Sequence, residues 1–266
     1  MEENMRNRLF WGIVLILLGL IFLFGYQMGL PVWRLIWPFM IIAIGAWILL
    51  IPVLSKGMKV VQEDFSLPVE GVEQATLKIE HGAGKINLHT VDLKDQFLTG
   101  SFMGGVAPKA SLSQGKYRVK LESKIEFANF LPRFQNREQL SWDISINRTI
   151  PLKVKMETGA SDNYLDFTNA QLEELHLETG ASSTEILLPE GCAFTSVHVE
   201  SGASAIKIHI PQKVAARIKI SGLIGKTIDT DRFIQNGEQY ESPDYEKAKN
   251  RVEINVESGV GSVEID

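Results

Sequence analysis

Val154-Lys155-Met156-Glu157-Thr158-Gly159-Ala160-Ser161, Leu175-His176-Leu177-Glu178-Thr179-Gly180-Ala181-Ser182 and Val197-His198-Val199-Glu200-Ser201-Gly202-Ala203-Ser204 are one phrase written three times. Their glycines fall at 159, 180 and 202, steps of 21 and 22 residues, and self-similarity at such a period marks a stacked repeat. A weaker copy runs over Ile218 to Gly225, and flanking copies lie at Leu77 to Gly84 and Val252 to Gly261. Before each glycine apolar and polar residues alternate (Leu175, Leu177; Val197, Val199), and the alternation resumes after it (Ile186, Leu188; Ile206, Ile208, Ile210). Period-two alternation is a strand with one buried face.

Each unit is therefore expected to be strand, bend, strand. Gly82, Gly159, Gly180, Gly202, Gly222 and Gly259 are the expected bend residues, supplying a backbone angle that other residues avoid, with the following alanine pointing inward. Pro189 and Pro211 end the second strand, because a ring nitrogen cannot donate to a ladder. A unit this short cannot bury its own apolar face, so neighbouring coils must cover it. Parallel stacking then puts like residues in rows about 4.8 Å apart. Glu157, Glu178, Glu200 and Glu257 form one outward row, and Lys155, His176, His198 and Asn255 a second row two residues upstream. Glu157, Glu178, Glu200, His176 and His198 are the candidate interaction face. Glutamates beside histidines could also hold a cation. A charge-balanced, solvated sheet face explains them more simply, since the residues recur because the repeat recurs and no Cys or Asp cluster closes a coordination shell. No metal or cofactor is expected.

The beginning of the chain is different in kind. No charged residue occurs from Leu9 to Tyr26, and a second uncharged run extends from Leu35 to Ser55 after Pro31 and Arg34. Each could span a hydrocarbon core of ~30 Å as a helix, and Trp33, Trp37 and Trp47 supply aromatic edges. The alternative, a cleaved secretory leader followed by a core helix, lacks a small-x-small cleavage site near Gly25 to Gly29. The expectation is a two-helix transmembrane hairpin over 1–56, a juxtamembrane linker over 57–70 and a β-repeat domain over 71–266 with an inserted strand region at 91–150. The fold class expected is a membrane-anchored all-β chain whose β-solenoid, or β-helix-like, stack is made of strand-turn-strand coils. Arg6, Arg8, Lys56 and Lys59 flank the hairpin while Arg34 alone lies in its loop, which by the positive-inside rule predicts a two-pass membrane protein with the repeat domain in the cytoplasm. The single cysteine, Cys192, fits a reducing compartment.

Within 91–150 alternation persists without the repeat (Tyr117, Val119, Leu121; Trp142, Ile144, Ile146), as longer strands that cap or widen the first coil, with Phe127, Phe130 and Phe134 in a loop near Pro132. Asn236-Gly237 predicts a hairpin turn, and Val252 to Ile265 a closing strand. The chain carries 27 basic and 32 acidic residues; five and two of these lie in 1–60, leaving 22 and 30, a net of −8. So acidic a domain is a poor candidate for nucleic acid or anionic lipid, and a protein partner is expected. Gly225-Lys226-Thr227 ends like a phosphate-binding loop, but the glycine required five residues earlier is Ile220. There is no G-x-S-x-G, H-E-x-x-H or C-x-x-C, and His209 faces outward by the alternation. No enzyme is expected.

The tract from Trp142-Asp143-Ile144 through Ile150-Pro151-Leu152, Thr158-Gly159-Ala160-Ser161, Leu165-Asp166-Phe167 and Leu172 to Ser182 resembles the toast-rack β-repeat domain, and Tyr240 to Tyr245, Arg251-Val252-Glu253-Ile254 and Gly259-Val260-Gly261 are similar to that family's closing coil. Trp11-Gly12 through Gly19, then Trp37-Pro38 through Gly45, resemble the membrane hairpin of the LiaI/LiaF group. The resemblance implies a non-enzymatic regulator in bacterial cell-envelope stress signalling, one that restrains a membrane sensor histidine kinase, and it brings no catalytic residues with it. Two other expectations compete. Identical coils could stack between molecules into a membrane-associated scaffold, so self-association is possible, or an outward-facing domain could serve as an adhesin.

Overall fold

The computed structural model describes residues 40–42, 45, 62–124 and 140–266. The strands in order are β1 (Gln62–Pro68), β2 (Gln74–Val91), β3 (Gln96–Met103), β4 (Val106–Ser113), β5 (Lys116–Ser123), β6 (Ser141–Asn147), β7 (Pro151–Asp166), β8 (Gln171–Leu187), β9 (Phe194–His209), β10 (Ala215–Ile228), β11 (Ile234–Asn236), β12 (Gln239–Glu241) and β13 (Arg251–Ile265). The long ones are two strands each. β7, β8, β9 and β13 run unbroken through their glycine bends, so each of these four contributes one bent rung of 15 to 17 residues to a parallel ladder.

Inward residues meet their counterparts across that ladder. Leu77, Val154, Leu175, Val197, Ile254 and Ile218 form one buried row before the bend, and Leu88, Leu165, Ile186, Ile208 and Ile265 another after it. Burying each such side chain contributes about 1.5–3 kcal/mol, and a core one residue deep per coil can collect it only through stacking.

The fold expectation needs three corrections. Among the described residues regular structure is nearly all strand, helix is confined to 40–42 and 45, and no helix is long and apolar enough to cross a membrane. The two-helix membrane hairpin expected over 1–56 therefore gains no support; apart from those four residues it lies outside the described residues, as do Phe127, Phe130 and Phe134. β1 occupies part of the 57–70 tract read as linker. Second, the coils do not stack in chain order. The sheet runs β1-β3-β6-β2-β7-β8-β9-β13-β10-β12-β11, with the last strand of the chain inserted between β9 and β10. Periodicity shows which segments are rungs and is silent about their order.

Third, the glycines at 159, 180, 202 and 259 do not have positive φ. A Cβ at Gly159 would lie 2.3 Å from the Gly82 carbonyl oxygen, at Gly180 2.7 Å from that of Gly159, at Gly202 2.6 Å from that of Gly180, and at Gly259 2.5 Å from that of Gly202. Close approach between rungs, each carbonyl lying over the next α-carbon, is what demands glycine. The bend also inserts two outward residues between inward ones. Ala181 and Ala203 are exposed and Ala160 half-buried, whereas Thr158 and Ser161 turn in and pair, Ser161 Oγ donating to Thr158 Oγ1 at 3.0 Å. The alanines were expected to point inward; in these three coils they do not.

On the far side of β2 the sheet parts at the bend. β5 pairs with Gln74 to Glu80 and carries β4, while β6 pairs with Lys85 to Val91 and carries β3 and β1. Trp142, Phe97 and Phe102 fill the space between these two wings and are fully buried. The opposite end of the stack is covered in part by the β11–β12 hairpin, turned at Gly237 with φ 64°.

Candidate functional site

Two rows of charged and polar side chains run across the outer surface just before the bends. The acidic row is Glu122, Glu80, Glu157, Glu178, Glu200 and Glu257, in register over β5, β2, β7, β8, β9 and β13. The row two residues upstream is Lys120, Lys78, Lys155, His176, His198, Asn255 and Lys219. Alternation sends both outward, and the missing side chains of Gly82, Gly159, Gly180, Gly202 and Gly259 leave a trough beside the glutamates, about 1120 Å³ in volume and wide open to solvent. Gly222 joins its margin through a different geometry, with φ 118° and a register shift against β13.

Compensation of the acidic row changes along its length. At the β5–β2 end it is ammonium: Lys78 Nζ lies 2.7 Å from both Glu80 Oε1 and Glu157 Oε1, Lys120 2.8 Å from Glu80 and 2.5 Å from Glu122, and Lys109 2.7 Å from Glu122. Hydrogen bonds from Lys109 and Lys120 hold the Glu122 carboxyl down to about 2, and those from Lys120 and Lys78 lower Glu80. Glu157 and then Glu80 in turn raise the Lys78 ammonium above its ordinary value.

From β8 onward the partners are imidazole and carboxamide. His176 Nε2 lies 2.8 Å from Glu178 Oε1 and His198 Nε2 2.7 Å from Glu200 Oε1, and the two rings stack 5.0 Å apart. Asn255 Nδ2 donates to Glu257 Oε1 at 3.2 Å and to His198 Nδ1 at 3.3 Å. With His198 Nδ1 as acceptor, its Nε2–H is the donor to Glu200. About half the Glu178 and Glu200 side chains is exposed.

Glu157, Glu178, Glu200, His176 and His198 thus lie on one face, and sequence reasoning missed its β5–β2 end. Glu80 and Lys78 extend the rows through Lys78-Ile79-Glu80-His81-Gly82, which has the repeat's own spacing. Glu122 and Lys120 come from β5, which has no bend glycine to advertise its place beside β2. Among the described residues no group of three or more His, Cys, Asp or Glu side chains has the arrangement of a metal site. His209 sits apart on β9, between Asp266 Oδ1 at 2.7 Å and Glu185 Oε1 at 3.3 Å.

One bend residue behaves differently. His81 occupies the inward position that Thr158, Thr179, Ser201 and Ser258 hold in the other coils, buried to 4% exposure with no hydrogen-bond partner for either ring nitrogen among the described residues. Its ring meets Trp142 edge-on at 4.5 Å, and burial pushes its pKa down to about 4. The imidazole is neutral, packed as an aromatic rather than offered as a ligand.

Residues 56–222 match the family described as the N-terminal domain of toast_rack, DUF2154. Among solved structures, a proposed cell adhesion protein from Clostridium sporogenes aligns with a TM-score of 0.68 at 21% identity, over 78% of this chain and 99% of that one. A proposed adhesin from Bacteroides fragilis aligns with a TM-score of 0.29 at 10% identity, over 79% and 98%. The first of these shares the fold. No curated protein matches the sequence.

Proposed function

This chain belongs to the toast-rack N-terminal domain family, and from that premise we propose that it is a non-enzymatic binding module of the adhesin kind, holding an extended, cation-bearing protein segment along its acidic trough. The observation that carries this is the run Glu178, Glu200, Glu257. These three carboxylates follow one another on adjacent rungs, about 4.8 Å apart, and among the described residues their hydrogen-bond partners are imidazole and carboxamide rather than ammonium. Like charges on adjacent strands repel, and a partner presenting Lys or Arg at strand-like spacing relieves that repulsion. The glycine strip keeps side chains out of the partner's way.

Such binding is electrostatic and open to solvent, so salt weakens it. A fluorescent oligolysine peptide titrated into the full chain tests the reading. Glu178→Gln/Glu200→Gln/Glu257→Gln is expected to weaken binding at least tenfold at low salt, and equal affinity of variant and wild type would overturn it. The likeness to the Clostridium sporogenes structure supports an adhesin-type module through its fold.

A second reading, restraint of a sensor histidine kinase in envelope-stress signalling, is what the resemblance of Trp11 to Gly19 and Trp37 to Gly45 to the LiaI/LiaF group implies. Recovery of no sensor kinase with the full chain from detergent extracts would count against it.

A further inference from the structure

We infer that the outer margin of β10, residues 220–228, pairs with the same margin of a second copy of this chain to form a two-fold dimer. β12 covers β10 only over Arg217 to Lys219, so beyond that point the edge of a six-rung parallel ladder has no strand partner among the described residues. An open edge presents unpaired N–H and C=O groups, and proteins guard such edges with charge, proline or brevity. The other margins are guarded in this way: β1 carries Glu63, Asp64 and Pro68, β4 carries Pro108 and Lys109, and β11 is three residues long. The margin from Ser221 to Ile228 holds one charge, Lys226, whose Nζ donates to the Ile220 carbonyl oxygen at 2.7 Å.

The same stretch is self-complementary. Leu223, Gly225 and Thr227 lie on the outward face, opposite Val260, Ser262 and Glu264 of β13. Leu223 is 82% exposed and its neighbour Val260 52%, the large apolar side chains that the outer corner of the stack leaves in water. Among the described residues the space above Gly225 is open, since a Cβ there would meet only the Gly261 carbonyl oxygen, at 3.9 Å. Antiparallel pairing about residue 224 sets residue 223 of each copy against 225 of the other, so each Leu223 lies over the other copy's Gly225. Ser221 then faces Thr227, and no charge stands opposite another on that face. Pairing of the same edge on both copies closes on itself about a two-fold axis and is antiparallel, whereas head-to-tail addition of this edge to a different edge of the next copy would continue as a filament. In residues 61–266, whose net charge is −8, a margin without a single acidic residue is where two copies can approach with least repulsion.

Sedimentation of the full chain in mild detergent tests this. A dimer that dissociates at micromolar concentration is expected. Leu223→Lys puts a charge on the margin and Gly225→Val fills the space above it; both should raise the dissociation constant at least tenfold while leaving the circular dichroism spectrum unchanged. Leu112→Lys, on the guarded β4 margin, should leave the dimer intact. A monomer up to about 100 μM, a dimer that survives both margin variants, dissociation by Leu112→Lys to the same extent, or growth beyond the dimer would each overturn the proposal.

Discussion

The bend of β2 and the bend of β8 read alike in sequence, His81-Gly82-Ala83-Gly84 against Thr179-Gly180-Ala181-Ser182, yet different neighbours shape them. At β8 a rung lies on either side, and a Cβ on Gly180 would reach to 2.7 Å from the Gly159 carbonyl oxygen. At β2 the sheet parts into two wings, and a Cβ on Gly82 would meet nothing within 4 Å. The inward position is a small hydroxyl in the interior coils, where rungs press together, and a full imidazole against Trp142 where the wings leave room. Chemistry follows the same division, with the acidic row held by lysines toward β5 and β2 and by histidines and an asparagine toward β9 and β13. A repeat specifies a rung, and what lies beside the rung decides what its residues do.

The largest test of that division removes residues 261–266. β13 is an interior rung, paired on both sides, and Val263 and Ile265 are buried to 1% exposure. Losing two buried side chains at about 1.5–3 kcal/mol each, together with the cover they give β9 and β10, should cost at least ~4 kcal/mol in chemical denaturation. A trimmed chain as stable as the full one would show that the stack does not depend on this rung.

Next in size is acid sensitivity at the β2 bend. Because the folded-state pKa of His81 is depressed to about 4 from 6.5, the unfolded chain takes up the proton first. Stability from this group is full above about pH 6.5 and is lost as pH falls toward 4, by roughly 3 kcal/mol at the limit. His81→Leu should therefore lose less stability than wild type between pH 7.5 and 4.5, as read from urea midpoints. Equal losses would mean that the imidazole is solvated or paired when folded.

The glycine column gives the next effect. Gly180→Ala forces a side chain toward a backbone carbonyl and should cost about 1–3 kcal/mol, while Gly82→Ala should stay within about 0.5 kcal/mol of wild type. Equal costs at both positions would sink the explanation by close approach and restore one based on backbone angle.

Much of this was legible in the repeat. Three copies with one spacing are enough to align Glu157, Glu178 and Glu200 across adjacent rungs, since parallel rungs of like sequence bury their apolar faces only in register. Asn236-Gly237 likewise carries its own turn signal, and the hairpin is there. The physical need for glycine was not legible, because positive φ and close approach leave the same letter in the sequence. Nor was the outward turn of Ala181 and Ala203, which depends on a two-residue bend that strict alternation cannot express. Glu122 and Lys120 were hidden because β5 joins the row through pairing with β2 rather than through a copy of the phrase. The insertion of β13 between β9 and β10 is a long-range choice that no local pattern records.

That insertion can be measured as a distance. Nitroxide labels at Glu80→Cys and Glu257→Cys, in a Cys192→Ser background, are separated by four rungs in the order β2-β7-β8-β9-β13, which at about 4.8 Å per rung predicts roughly 19 Å between attachment points. A pulsed electron resonance distance near that value, once allowance is made for the label arms, supports bent rungs stacked in register with the end of the chain drawn into the ladder. A distance longer by about one rung, as stacking in chain order requires, or a broad distribution with no preferred separation, would contradict it.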